Sequence, residues 1–445
     1  MRTHKQQTPF ESMAKLNFLS VATILLASPL PKAGVLYWWA TILVLLLLPN
    51  LFSSRFVSKL INTSNSSIKY WLYLYFVFSL LILLQLWLIP HLVDWNAPVI
   101  QFDQQVITNK PINTKETIES WGLFTSYWFF AYLVSQLNRQ QIKFAFVVIL
   151  LSAAFQIFYG LLFTTFEQQM VLGWWKKEHY IGFTTGTFVN KNHYANYLAM
   201  AIPLLIAGAT YWLTSKKNKH STFTLRLVLT ITCLLIVLAF TALIQSQSRA
   251  GFIFGSLGCL VFSAFIVKKH WQRRYFPIFT VIFVLVIIIG TTLLSVVNYE
   301  NMLARLARIS GYDLRWQTWE NILNMPASVL LLGSGAGTFF DIFLQYSPTN
   351  ITKTVFYAHN DYLQFLLEYG ILGITLLIHP TYLWLKSTLK WRSFNILQYG
   401  ALTSICVMLL HSSVDFSLHI PANALLFFFA LGCLSNQSLL KRRRR

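Results

Sequence analysis

The sequence predicts an all-α protein that crosses a membrane many times. Three observations predict it. Apolar runs close to the ~20 residues needed to span a bilayer recur along the chain. Charged residues are 11% and hydrophobic residues 56% of the 445, where soluble domains carry ~25% charge. The basic residues gather in short segments between the apolar runs. Backbone in lipid must satisfy its own hydrogen bonds, so the spanning segments are helices. A β-barrel is excluded, because its strands alternate with period two and these runs are continuous.

About twelve spans are read, near 16–30, 35–52, 70–90, 120–137, 144–166, 194–213, 227–246, 250–267, 277–297, 362–385, 397–414 and 420–438. They form one transmembrane domain over residues 1–445. The first is read as an uncleaved helix, since no clear small-x-small cleavage site follows it. With the N-terminus inside, the inner side receives most of the 35 basic residues and only Glu11 of the 14 acidic ones. The basic count is the positive-inside rule and sets both termini in the cytoplasm. The net charge of +21 is therefore a topology signal and not a nucleic-acid surface, and the terminal "KRRRR" is an anchor beside anionic lipid heads. Cys233, Cys259, Cys406 and Cys433 all fall in predicted spans and read as small apolar fillers.

The inner loops are short and basic, so chemistry is expected at the outer face. The outer loops run over about 93–119, 167–193 and 298–360. In the last, Leu303, Leu306 and Ile309, then Trp316, Trp319 and Ile322, repeat at helical spacing, which predicts short amphipathic helices on the membrane surface. Arg305, Arg308 and Arg315 take their polar side. "GSGAG" at 333–337 lacks the strand–G-x-G-x-x-G–helix context of a dinucleotide loop and reads as a tight turn. Polar groups otherwise gather at span mouths: Lys191, Asn192 and His193 in "FVNKNHYANYL", Arg249 in "SQSRAGF", His411, Asp415 and His419 in "HSSVDFSLHIPAN", and His359, Asn360 and Asp361 in "FYAHNDYLQFLLEYGILG". Ionisable groups at a bilayer mark function by default. The chain has no P-loop, no H-E-x-x-H and no Asp-x-Asp. Its outer acids are scattered, so no metal and no cofactor is expected.

His359-Asn360, nine residues, Gly370, two residues, Gly373 resembles the signature shared by O-antigen ligases and bacterial protein O-oligosaccharyltransferases. "SRAG", "FVNKNHYANYL" and "LRWQTW…GSGAGTF" also resemble segments of the O-antigen ligase/polymerase superfamily. The region covered is about 182–415. The resemblance implies a GT-C-like, lipid-carrier glycosyltransferase of the bacterial inner membrane with a large periplasmic loop over 298–360. It implies transfer of a glycan from undecaprenyl pyrophosphate to an acceptor hydroxyl, such as that of lipid A-core, without a metal and with inversion. A polymerase of O-antigen or exopolysaccharide repeats is the alternative. Protein glycosylation, a glycan transporter and a passive export subunit are further readings, and no internal repeat of the transporter kind is found.

Carried over by residue, His359 matches the family's essential loop His. Arg249 and Arg315 match the Arg residues that meet the pyrophosphate, with Arg305 and Arg308 as neighbours of Arg315. Lys191, Asn192, His193, Asn360, Asp361 and Asp415 are expected to support them, Asn360 by fixing the acceptor or the loop and Asp361 by orienting the imidazole. Many ligases carry a second His two residues before the motif His, where this chain has Tyr357. The chemistry is consistent. Arg presents a planar fork to phosphate oxygens and stabilises charge developing on a leaving group. A neutral His, with reference pKa ~6.5, suits removal of a proton from a sugar hydroxyl near neutral pH.

Overall fold

The computed structural model describes residues 9–30, 32–35, 37–51, 65–92, 114–165, 170–214, 221–270, 314–346, 355–389 and 394–440. The predicted span near 277–297, Arg305 and Arg308, most of the 93–119 loop and the terminal "KRRRR" lie outside the described residues. The described chain is helical: α1 (Pro9–Ala27), α2 (Tyr37–Leu51), α3 (Ser66–Leu92), α4 (Thr114–Gln136), α5 (Arg139–Thr165), α6 (Lys191–Leu213), α7 (Thr222–Gln245), α8 (Arg249–His270), α9 (Leu314–Leu323), α10 (Ala327–Leu332), α11 (Phe339–Tyr346), α12 (Asp361–Thr388), α13 (Ile396–His411) and α14 (Pro421–Ser435). A two-residue hairpin, Met170–Val171 against Trp175–Lys176, lies between α5 and α6.

Helices occupy every predicted span within the described residues. Among the described helices, six are long and apolar enough to cross a membrane: α3, α5, α6, α7, α8 and α12. The apolar parts of α1, α2, α13 and α14 are shorter. α4 is outside both groups. It starts at Thr114, carries Lys115, Glu116 and Glu119 in its first turns, and is rich in Trp, Tyr and Ser beyond them.

α6 is the central helix of the described chain, buried over 72% of its apolar window where no other described candidate span exceeds 44%. It packs on α5, α7, α8, α13 and α14. Lipid tails are as apolar as Leu, so helices in a bilayer associate where small residues let backbones approach. Here Gly251 and Gly255 of α8 lie against Ala195 and Ala199 of α6, and Gly400 of α13 lies against Ala207. A Cβ at Gly251 or Gly400 would collide with those alanines. The "SRAG" glycine and the alanine of "NHYANYL" are thus two halves of one helix contact.

The predicted continuous span 362–385 is interrupted. Gly370 has φ 69° and ψ 169°, which breaks α12 after its ninth residue. The break leaves the carbonyls of Leu367 and Glu368 without helical partners, an unsatisfied state that burial does not tolerate. The "GSGAG" turn supplies them: Ser334 N–H donates to Leu367 O and Gly335 N–H to Glu368 O, both at 2.9 Å. Gln85 of α3 adds a 2.8 Å bond to Glu368 O. Gly333 and Gly370 make this possible. A Cβ on Gly333 would stand 2.5 Å from Glu368 O, and one on Gly370 would stand 2.5 Å from Gly333 N.

Candidate active site

Five chain segments meet at one end of the bundle: the loop entering α6, the α7–α8 turn, the start of α9, the loop entering α12 and the α13–α14 turn. Capping holds several in place. Asn190 accepts from Asn192 N at 2.8 Å and starts α6. Asn360 accepts from Tyr362 N and Leu363 N at 3.0 and 3.1 Å and starts α12. Both are favoured N-cap residues, because their carbonyls satisfy orphan amides of the first turn. In the α7–α8 turn, Ser248 Oγ accepts from Gly251 N at 3.4 Å, so Arg249 is the first residue of α8.

His359 sits just before that Asn360 cap with φ 51°, a region that side-chain-bearing residues rarely adopt. Its ring is one-third exposed, and its Nδ1 lies 3.4 Å from Oδ1 of Asp415, whose side chain is 1% exposed. That distance is long for a hydrogen bond, and such contacts tighten when charge develops on the ring. His193 enters from α6, with Nε2 3.7 Å from the same Oδ1. At that separation the contact is electrostatic, and among the described residues neither buried His193 Nε2 nor buried Asp415 Oδ2 has a hydrogen-bond partner. Oδ1 also accepts from Phe416 N at 3.0 Å. Burial opposes ionisation of Asp415, yet the adjoining His193, His359 and His411 outweigh it and hold the carboxyl well below its usual range. Phe416 organises the rings. Tyr357 stacks on it at 4.1 Å, and His193 and His359 meet it edge-on at 4.5 and 4.9 Å.

The basic residues surround this core. Arg315, half-buried in the first turn of α9, donates from Nη1 to Val414 O at 3.1 Å, one residue before Asp415. Arg249 is exposed. Its turn is tied to α6 by Lys191, whose Nζ donates to Gln247 O at 3.4 Å and lies 4.1 Å from the Phe183 ring. Tyr180 connects the two sets: burial raises its hydroxyl pKa, Asp415 raises it further and Arg315 lowers it.

The structure brings His359, Arg315, His193 and Asp415 together, and binds Lys191 to the Arg249 turn. It separates Asp361 from the imidazole it was expected to orient. Asp361 Oδ1 pairs instead with His419 Nδ1 at 2.9 Å, Oδ2 accepts from Leu418 N at 3.2 Å, and the carboxylate on His359 is Asp415. The physical reason is the cap: Asn360 turns the chain into α12, and Asp361 N bonds back to the carbonyls of Ser412 and Asp415. Asn360 likewise spends its side-chain oxygen on the helix start, and Asn192 contributes a capped backbone N–H. Sequence reasoning missed Phe416, Tyr180, Trp319, Gln364 and Glu368. Trp319 Nε1 donates to Ala358 O at 2.8 Å, the residue before His359. The 361, 364, 368 spacing of Asp, Gln and Glu on one helix face was the available signal for the last two.

Residues 234–378 match the family model for O-Antigen ligase. The matched segment contains Arg249, Arg315, His359, Gly370 and Gly373, and ends before Asp415. No curated protein and no solved structure matches the chain. Through this segment, which carries the motif residues of the site, the chain is similar to the O-antigen ligase family.

Proposed function

We propose that the chain is an O-antigen ligase-like enzyme. It moves a glycan from undecaprenyl pyrophosphate to an acceptor hydroxyl, of lipid A-core or a related acceptor, at the periplasmic face of a bacterial inner membrane. The observation that carries this reading is the meeting of His359 with buried Asp415 on a turn that Arg315 also grips. With Nδ1 directed at Asp415, His359 Nε2 is the basic nitrogen. It takes the acceptor's proton as the hydroxyl oxygen attacks the anomeric carbon. Asp415 balances the imidazolium, in the way a buried carboxylate fixes a general base. The bond from the anomeric carbon to the pyrophosphate oxygen breaks in the same displacement, so the configuration inverts.

Arg315 and Arg249 receive the charge that grows on the departing pyrophosphate. Arg249 opens a 22-residue helix, where the dipole and free amides favour an anion. Lys191 supports the turn that carries it. Arg305 and Arg308 belong to the same proposal as neighbours of Arg315 in sequence. No step requires a metal, so transfer by the purified protein in excess chelator should be undiminished.

The deciding experiment is a clean deletion with analysis of the cell's glycans. Loss of attachment with intact polymer left on the carrier supports the ligase. Accumulation of single repeats instead means a polymerase, and an unchanged glycan profile rejects both.

A further inference from the structure

Behind His359 lies a polar chain that the scheme above does not use. Gln364 Nε2 lies 3.0 Å from Glu368 Oε1 and 3.0 Å from His419 Nε2. Gln364 Oε1 accepts from Ala358 N at 3.2 Å. His419 Nδ1 lies 2.9 Å from Asp361 Oδ1, and Glu368 Oε2 accepts from Gly337 N at 3.0 Å. Asp361, Gln364 and Glu368 are buried, while the His419 side chain is 30% exposed.

These contacts fix the hydrogens. The backbone N–H of Ala358 only donates, so the Gln364 atom facing it is the amide oxygen. The amide nitrogen therefore faces Glu368 and His419, and gives one hydrogen to each. His419 Nε2 must then accept. The ring is neutral in this arrangement, with its proton on Nδ1 toward Asp361.

A second proton, taken from solvent, makes His419 Nε2 a donor facing a donor. Rotating the Gln364 amide answers His419 but sets its nitrogen against Ala358 N–H and its oxygen against Glu368. We propose that Gln364 is a positioning residue that couples the protonation of His419 to the His359 loop. With His419 neutral, Gln364 holds Ala358; with His419 protonated, it lets go. Ala358 precedes a residue held at φ 51°, a conformation that persists only while its surroundings over-determine it. The groups around His419 set the balance. Asp361 and Glu368 face it from α12, and the Tyr357 ring from the loop at 5.6 Å. Burial disfavours the second proton, and Asp361 and Glu368 outweigh burial, so the pKa lies above the ordinary imidazole value.

The importance of this coupling for transfer rests on His359 being the base, but the test does not. Amide exchange of the full-length protein in detergent, corrected for intrinsic pH dependence, reads Ala358 directly. Protection in the wild type should fall about five- to thirtyfold as pH drops from about 8 to about 5, the loss of one hydrogen bond. His419→Asn keeps a donor toward Asp361 without a titrating ring, and its Ala358 protection should not change over that range. Gln364→Glu supplies a carboxylate that accepts from Ala358 N–H and from protonated His419 together, so acidification should preserve or raise protection. Wild-type protection that stays constant with pH overturns the proposal, as does a wild-type response retained in His419→Asn. The wild-type measurement stands even where a variant does not fold. If Ala358 responds while His359→Gln transfers glycan normally, the coupling holds and the role of His359 fails.

Discussion

His359 and Asp415 stand 56 positions apart in sequence and meet through Nδ1 and Oδ1 at 3.4 Å, the first partly exposed and the second sealed. The exposed ring can reach a substrate, and the sealed carboxylate keeps its charge away from water, where the two attract more strongly.

Removing the proposed base should be the most damaging single change. General-base catalysis contributes ~10²–10⁴-fold. His359→Ala should lower transfer by about that factor with the protein still folded in the membrane. His359→Gln can hydrogen-bond but cannot take up a proton, and should fail as well. His220→Ala, in a predicted inner loop, is the control. Near-normal transfer by His359→Gln would show that the His only positions the acceptor.

Asp415→Asn keeps the shape and removes the charge. A hydrogen bond to a charged group is worth roughly 1.5–3 kcal/mol, so transfer should fall ~10- to 10²-fold. The same variant has a pH signature. The folded-state pKa of Asp415 is depressed, so its contribution to stability is present above the unfolded carboxylate value near ~4 and is lost as pH falls through the folded value. Thermal unfolding in detergent from neutral to acid pH should therefore show a flatter acid decline in Asp415→Asn than in wild type.

Arg249→Lys and Arg315→Lys keep a positive charge and lose the bidentate fork. Both should remain impaired in transfer, and the Ala variants more so. Full activity in Arg249→Lys would mean that a point charge suffices and that pyrophosphate geometry is not being read there.

Gly370→Ala and Gly333→Ala should destabilise by at least ~1–3 kcal/mol, the cost of a Gly-only backbone conformation, with a collision added. Gly373→Ala should be milder, since its added Cβ meets mainly the end of the Leu81 side chain, at 2.8 Å. Melting temperatures of the three variants in one detergent check the order.

Reporter fusions after Lys219, Lys269 and Lys390 should all give a cytoplasmic signal, with the 298–360 loop outside. A periplasmic signal at any of the three would reverse the topology and with it the side on which the site faces.

Much of the fold was legible because a bilayer enforces long apolar helices, and the sequence marks them by hydropathy alone. The candidate site was legible wherever a motif was local. Arg249, Arg315, His359 and the capping Asn190 and Asn360 could all be found by reading along the chain. Partner choice was not. Asp361 is two residues from His359 in sequence, yet the first turn of α12 carries it to His419, and the acid that reaches His359 arrives from the α13–α14 turn. The break at Gly370 was hidden as well, because hydropathy runs through it unchanged and only the carbonyls of Leu367 and Glu368 register the interruption.

The interval between Asn360 and Gly370 works as a ruler. Its zero is the side-chain cap that starts α12, and its far mark is the glycine that docks on the "GSGAG" turn. An α-helix advances about 100° per residue. One residue inserted between the two marks would keep either the His359 loop or the turn in register, and rotate the other a quarter-turn away. Apart from the bonded Asp361, Gln364 and Glu368, a substitution on this stretch can be absorbed by repacking, whereas a change of length cannot. The chain should therefore accept other residues at the remaining positions and only one spacing.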